Sequence, residues 1–258
     1  MDLELKGKSA LVTGASKGIG LGVAEALAAE GVHLHLAART EPLLQDARER
    51  LQAEHGVTVT IHPLDLSQSS AAKELAQVCG DVDVLVNNAG AIPGGDLEAV
   101  NEEIWRQAWD LKVFGYVNTT REFLRRMKAR GHGVIVNVVG LAGERPNAGY
   151  IAGSAGNASL MAFTRALGAH SLDYGVRVVA VNPGPVETDR HVYLMKLRAK
   201  SELGDENRWR ELAQKQPMGR AASVREVADL VTFLASPRAS YMSGTVVTVD
   251  GGISGRGA

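Results

Sequence analysis

Ser9-Ala10-Leu11-Val12-Thr13-Gly14-Ala15-Ser16-Lys17-Gly18-Ile19-Gly20 is the stretch that decides the fold. A short apolar run of strand length enters a turn holding Gly14, Gly18 and Gly20, and a helical pattern, Ile19–Glu30, leaves it. Glycines at that junction permit a tight turn and a close backbone approach to a pyrophosphate. The first N–H groups of the following helix, with its dipole, then face the anion. A glycine triplet alone is weak evidence for a nucleotide. Its place after the first strand and before the first helix strengthens it.

Outward from this turn, strand-length apolar runs alternate with helical patterns. The runs are Ala10–Thr13, Val32–Ala38, Val57–Pro63, Val82–Val86, Val134–Val138, Arg177–Val181 and Thr245–Val249. Helices are expected over Ile19–Glu30, Glu41–His55, Ser69–Cys79, Glu102–Arg130, Gly153–Tyr174 and Val224–Ala235. The alternation predicts an α/β fold, a doubly wound seven-stranded parallel sheet of Rossmann type in a single domain over residues 1–258. Only Pro185 to Pro217 breaks the rhythm. It contains a charged helical pattern, Leu194–Glu206, and is read as a lid at about 186–215.

Bulk properties narrow the function. The chain has 258 residues and a net charge of −1, which gives no sign of a nucleic-acid or anionic-membrane partner. Cys79 is the only cysteine, so no intramolecular disulfide can form. The start, Met1-Asp2-Leu3-Glu4-Leu5-Lys6, is too charged for a secretory signal, and no apolar run has membrane-spanning length. A cytoplasmic protein acting on a small molecule is expected. No His/Cys/Asp cluster has metal-ligand spacing, and His33 and His35 read as packing or rim residues, so no metal is expected.

The second strand points to the nucleotide. Its end, Leu36-Ala37-Ala38-Arg39-Thr40, lacks the acid that would bind a ribose 2′-OH and offers a guanidinium instead. Arg39, with Lys17 from the glycine loop, suits a 2′-phosphate, so NADP(H) is expected in preference to NAD(H).

With these motifs the chain resembles the short-chain dehydrogenase/reductase family over nearly its whole length. The resemblance rests on Thr13 to Gly20, Asp65-Leu66, Asn87-Asn88-Ala89-Gly90 and Asn182-Pro183-Gly184-Pro185-Val186-Glu187-Thr188. Gly219-Arg220, Phe233-Leu234-Ala235-Ser236 and Val249-Asp250-Gly251-Gly252 add to it. It implies that Ser16 and Ile19 join the glycine loop in holding the cofactor. It also implies that Asp65 and Leu66 contact the adenine and that Asn88, Ala89 and Gly90 line the groove. Pro183, Gly184, Val186 and Thr188 would lie near the nicotinamide. It implies a homotetramer too, paired through the helices Glu102–Arg130 and Gly153–Tyr174, with Thr245–Gly252 near a second interface.

The family's chemistry uses a Ser, a Tyr, a Lys and an Asn. Aligned on Gly133-Val134-Ile135-Val136 and Phe163-Thr164-Arg165-Ala166-Leu167, those places hold Gly140, Gly153, Asn157 and Lys112. Forcing Tyr150 onto the family tyrosine would put Ser154 at the lysine place and need a three-residue deletion. Tyr150 precedes Asn157 by seven residues, close to two helical turns, so the two can share a helix face. The expected atypical site therefore has Tyr150 as proton donor, with Lys112 supplying the positive charge and Asn157 neutral hydrogen bonds. The rival reading is an inactive nucleotide-binding relative, with Tyr150 as pocket wall and Lys112 as a stray cation. Glu144, Arg145 and Asn147, after the fifth strand, and His191 and Tyr193, in the lid, are lesser substrate-contact candidates.

Overall fold

The computed structural model describes residues 1–256. Seven strands form one all-parallel sheet in the order β3-β2-β1-β4-β5-β6-β7. They are β1 (Ser9–Thr13), β2 (His33–Ala38), β3 (Val59–Pro63), β4 (Val84–Asn87), β5 (Gly133–Val138), β6 (Val176–Pro183) and β7 (Val246–Val249). The helices are α1 (Gly18–Ala29), α2 (Glu41–His55), α3 (Ala71–Cys79), α4 (Glu102–Trp109), α5 (Gly115–Arg130), α6 (Ile151–Ser171), α7 (Asp189–Leu203), α8 (Trp209–Ala213) and α9 (Val224–Ala235). The chain is a single Rossmann-type domain, as the alternation predicts.

Strand side chains alternate between two cores, because successive residues of a strand point to opposite faces. Ala10, Val12, Leu34, Leu36, Val84, Val86, Val136 and Val138 pack with α1, α2 and α9. Leu11, Ala37, Leu85, Ile135 and Val178 pack with α3 and α5. Every residue of β6 is buried, as expected for a strand covered on both faces. Polar groups at the sheet centre are paired. Asn87 donates to Asn137 Oδ1 (2.9 Å) and Thr120 Oγ1 (3.0 Å), accepts from Thr119 Oγ1 (2.6 Å), and Asn137 in turn donates to Thr164 Oγ1 (2.9 Å). This chain of contacts ties β4 and β5 to α5 and α6.

Two expected helices differ in detail. The stretch expected as one helix over 102–130 is interrupted by a π-turn at Asp110–Phe114. There Trp109 Nε1 donates to Ala152 O (3.0 Å), and Gly156 of α6 packs against Trp109 and Val113. The wider turn sends Lys112 inward; π-turns of this sort recur at functional sites. The helix expected from Gly153 begins two residues earlier, at Ile151, with Tyr150 as its N-cap.

The stretch expected as a lid is a helical pair with its own small core of Met195, Ala199, Trp209 and Leu212. Its first helix starts earlier than the charged pattern suggests. Thr188 caps α7 by accepting from the His191 N–H (3.2 Å), and Gly204 ends it in the left-handed region, φ 77°. The excursion is pinned at its base, where Ala222 donates to Pro185 O (2.9 Å) and Glu187 to Ala222 O (2.8 Å).

Candidate active site

The carboxyl ends of β1 and β4 are adjacent, and the connections leave them in opposite directions. This is the crevice where open α/β sheets take ligands. Its floor is closely fitted backbone. A Cβ on Gly20 would sit 2.3 Å from Gly14 O, and one on Gly14 (φ 66°) would sit 2.9 Å from Ala89 Cα. Asn88 locks the two loops together: its Nδ2 donates to Thr13 O (3.1 Å) and Gly14 O (3.3 Å). The N–H groups of Asn88 and Ala89 donate to Thr13 Oγ1 at 2.9 and 3.1 Å. Gly18 and Thr188 approach each other, since a Cβ on Gly18 would lie 3.4 Å from Thr188 Cγ2. Gly14, Ser16, Lys17, Gly18, Ile19 and Gly20 thus share one crevice with Asn88, Ala89 and Thr188.

On one flank, β2 ends at Ala38 and delivers Arg39, which is exposed, as is Lys17. Among the described residues neither has a carboxylate within ion-pair distance. Asp65 follows β3 and accepts from the Ser67 N–H (3.0 Å), while Leu66 is buried beside α5. On the other flank Pro183 ends β6, Gly184 lies against Asp250, and Val186 is buried.

The wall opposite is built by β5 and α6. Gly140 has φ 142°, a conformation that side-chain-bearing residues rarely adopt. A Cβ there would also lie 2.8 Å from Asn157 Nδ2. One turn up α6, a Cβ on Gly153 would fall 2.0–2.1 Å from ring carbons of Tyr150. The Tyr150 ring therefore fills the space where a side chain at 153 would begin. Tyr150 itself is the non-helical N-cap of α6 (φ −143°, ψ 43°), so its ring reaches this place by folding back over the first turn and not by the seven-residue helical spacing. Asn157 is 4% exposed, and its Oδ1 has no hydrogen-bond partner. A buried acceptor without a donor costs roughly 1–3 kcal/mol, so this atom fits a ligand hydroxyl such as that of a nicotinamide ribose.

Lys112 differs from expectation. It is 9% exposed and lies along Gly90, where a Cβ would meet its Cδ at 2.3 Å. Its Nζ donates to Val138 O (2.9 Å), Val139 O (3.0 Å) and Tyr116 Oη (3.1 Å). All three ammonium protons are thus spent on the protein. Burial, with a smaller contribution from Arg190, pulls its pKa down to about 7. Lys112, offered by the sequence as the positive charge beside Tyr150, is not what acts on that phenol. Burial raises its pKa, and the cation opposing that rise is Arg190.

Arg190 is the residue that sequence reasoning missed. It sits in the first turn of α7 and donates to Ile92 O, placing a guanidinium near both Tyr150 and Lys112. Its place two residues after Thr188 was the only available signal. Among the lesser candidates, Glu144 accepts from Asn182 Nδ2 (2.9 Å) and Thr248 Oγ1 (2.8 Å), and Arg145 donates to Ile253 O (2.7 Å). Both brace the wall. Asn147 is clamped to Ser154, which gives that serine a structural task. His191 Nε2 is buried without a partner, and burial lowers the ring pKa; Tyr193 is exposed. Away from the crevice, His35, His62 and Cys79 bring their ligand atoms within 4.8 Å of one another, a grouping invisible to local spacing.

Comparison with known proteins places this architecture. Residues 14–254 match the family model described as enoyl-(acyl carrier protein) reductase. The chain is 37% identical to galactitol 2-dehydrogenase (L-tagatose-forming) of Cereibacter sphaeroides, covering 96% of this chain and 95% of the relative. It is 34% identical to a 3-oxoacyl-[acyl-carrier-protein] reductase of Vibrio cholerae, covering 97% and 99%. The crystal structure of L-sorbose reductase from Gluconobacter frateurii, complexed with NADPH and L-sorbose, superposes with a TM-score of 0.93 at 32% identity, covering 99% and 100%.

Proposed function

The chain belongs to the short-chain dehydrogenase/reductase family, and from that premise we propose that it is an NADP(H)-dependent oxidoreductase with an atypical catalytic set. Its substrate is a ketone or the corresponding alcohol, with an activated alkene as second choice. The observation that carries the reading is the Tyr150 ring standing where a side chain at Gly153 would begin, one turn from Asn157. The places of the family's Ser, Tyr, Lys and Asn are held by Gly140, Gly153, Asn157 and Lys112, and Tyr150 serves from a position three residues early.

NADP(H), when bound, supplies or accepts the hydride. The glycine loop and the start of α1 hold its pyrophosphate, and Asp65, Leu66 and Asn88 to Gly90 line the adenosine side. Arg39 and Lys17 select the 2′-phosphate; both cations are free of carboxylate partners among the described residues. Pro183, Gly184, Val186 and Thr188 border the nicotinamide, and Asn157 Oδ1 accepts from the ribose.

Tyr150 gives its phenolic proton to the substrate oxygen as the carbonyl is reduced. The phenol is protonated at neutral pH and so can donate; burial, by raising its pKa, makes it a weaker acid. Arg190 limits the rise of its pKa, while Lys112 holds the carbonyls at the end of β5 in place. The helical pair over about 186–215 acts as the lid and carries Arg190 with it.

The chosen substrate class agrees with relatives named for a polyol and a ketose. A homotetramer is part of the proposal. The groove beside α4, lined by Leu97, Val100, Trp105, Trp109 and Phe114, would be covered by a second copy. A monomeric mass by light scattering at micromolar concentration would count against it. A cytoplasmic location is part of the proposal; among the described residues no helix is long and apolar enough to cross a membrane.

One observation favours a second reading, a nucleotide-binding relative without redox activity: the Lys112 ammonium has no proton left for a ligand. Calorimetry with NADPH, followed by a nicotinamide-absorbance screen of ketoses, polyols and 3-oxoacyl thioesters, separates the two. Binding with turnover supports the enzyme; binding without turnover on any of them supports the relative.

A further inference from the structure

Three polar side chains converge on the β3 edge of the sheet, on the α3 face. His35 comes from β2, His62 from the edge strand β3, and Cys79 from the last turn of α3. His35 Nδ1 lies 2.9 Å from His62 Nε2, and Cys79 Sγ lies 3.4 Å from the same nitrogen. The two imidazoles are stacked with ring centroids 5.2 Å apart. One ring nitrogen carries either a single proton or a single lone pair. His62 Nε2 can therefore complete one ordinary hydrogen bond, with either His35 or Cys79, in a site where His62 and Cys79 are both buried. A cation between them would satisfy all three at once. His33, two residues before His35, already has its own partner, accepting from the Thr58 N–H (3.1 Å).

We propose that His35, His62 and Cys79 form a metal site for a thiophilic ion of the zinc class, with a fourth coordination position open to solvent beside half-exposed His35. Two nitrogens and one sulfur are a donor set that zinc accepts. Bonds of about 2.0–2.3 Å in a tetrahedron place ligand atoms about 3.3–3.6 Å apart. The Cys79–His62 separation lies in that range, the His35–His62 separation is shorter, and the third pair lies within 4.8 Å, so small side-chain rotations would be needed to seat the ion. Binding displaces the thiol proton: the Cys79 thiol and Zn2+ give a zinc thiolate and one released H+. The ion would clip β2 and β3 to α3 at the edge of the sheet that ends in Arg39 and Asp65.

The test uses the full chain, stripped with a chelator and titrated with Zn2+ by calorimetry and with Co2+ by absorbance. One ion per chain, proton release and a thiolate-to-cobalt charge-transfer band are expected. Because Cys79 is the only thiol, Zn2+ should also slow its alkylation. Cys79→Ser should abolish the cobalt band and weaken Zn2+ binding by at least about a hundred-fold, beyond the loss seen on removing an outer-shell partner. His35→Ala, at the half-exposed position, should weaken it comparably while the circular dichroism spectrum stays unchanged. His55→Ala and His132→Ala, at exposed positions, should bind as the parent does. No saturable binding by the parent chain, or parental affinity in Cys79→Ser and His35→Ala, would overturn the site.

Discussion

The glycine loop after β1 and the wall made by β5 and α6 face each other across one crevice, but they are specified in different ways. In the loop, backbone does the work. Gly14 and Gly20 are fixed by contacts with Ala89 and Gly14 O that leave no room for a Cβ. In the wall, side chains do the work, and one can reach its place from more than one position along the chain. Tyr150 covers Gly153, and Asn157 covers Gly140. A backbone site therefore keeps its sequence signature, whereas a side-chain site can keep its shape while its signature moves.

The comparison breaks first at the loop if it is wrong. Gly20→Val places a Cβ against Gly14 O, so measurable NADPH binding should vanish in calorimetry and stability should fall by at least about 1–3 kcal/mol. Parental affinity in this variant would mean that the loop does not hold the nucleotide.

Across the crevice, Gly153→Ala should expel the Tyr150 ring and lower turnover roughly a hundred-fold, with NADPH affinity retained. An unchanged rate would show that the ring is only pocket wall. A smaller effect is expected on the nucleotide flank. Arg39→Ala should weaken NADPH about ten-fold or more, matching the loss of a charge-assisted contact, and leave NADH nearly unchanged. Equal losses for both nucleotides would remove the selectivity argument.

The smallest effect concerns Lys112. Its folded pKa, about 7, lies below the unfolded value of 10.5, so between those values the unfolded chain binds more protons. Stability must then rise with pH across that window. A Lys112→Met variant should lack this slope, a difference of about 1 kcal/mol between pH 7.5 and 8.5. Identical pH profiles from denaturant titrations would mean that the buried amine does not titrate there.

The same contrast explains what the sequence could reveal. Strand alternation and the glycine junction predict the sheet, its parallel sense and the crevice, because period-two burial and tight turns are local properties. The seven-residue spacing from Tyr150 to Asn157 predicts a shared helix face, whereas Tyr150 is a non-helical N-cap whose ring folds back over Gly153, which no local period reveals. The π-turn at Asp110–Phe114 was not legible, since it arises from packing of Trp109 and Val113 against α6. The saturated hydrogen bonds of Lys112 depend on the carbonyls of Val138 and Val139, and the reach of Arg190 depends on how α7 folds back to Ile92. The grouping of His35, His62 and Cys79 spans three elements and has no local spacing at all.

The central claim is that Tyr150 supplies the proton in a site where Gly153 cannot. The most direct measurement pairs turnover with NADPH affinity in Tyr150→Phe, using a carbonyl substrate found by the absorbance screen. Turnover reduced roughly a hundred-fold or more, with NADPH affinity unchanged, is the predicted result. Parental turnover in Tyr150→Phe, or a parallel loss of NADPH binding, would contradict it.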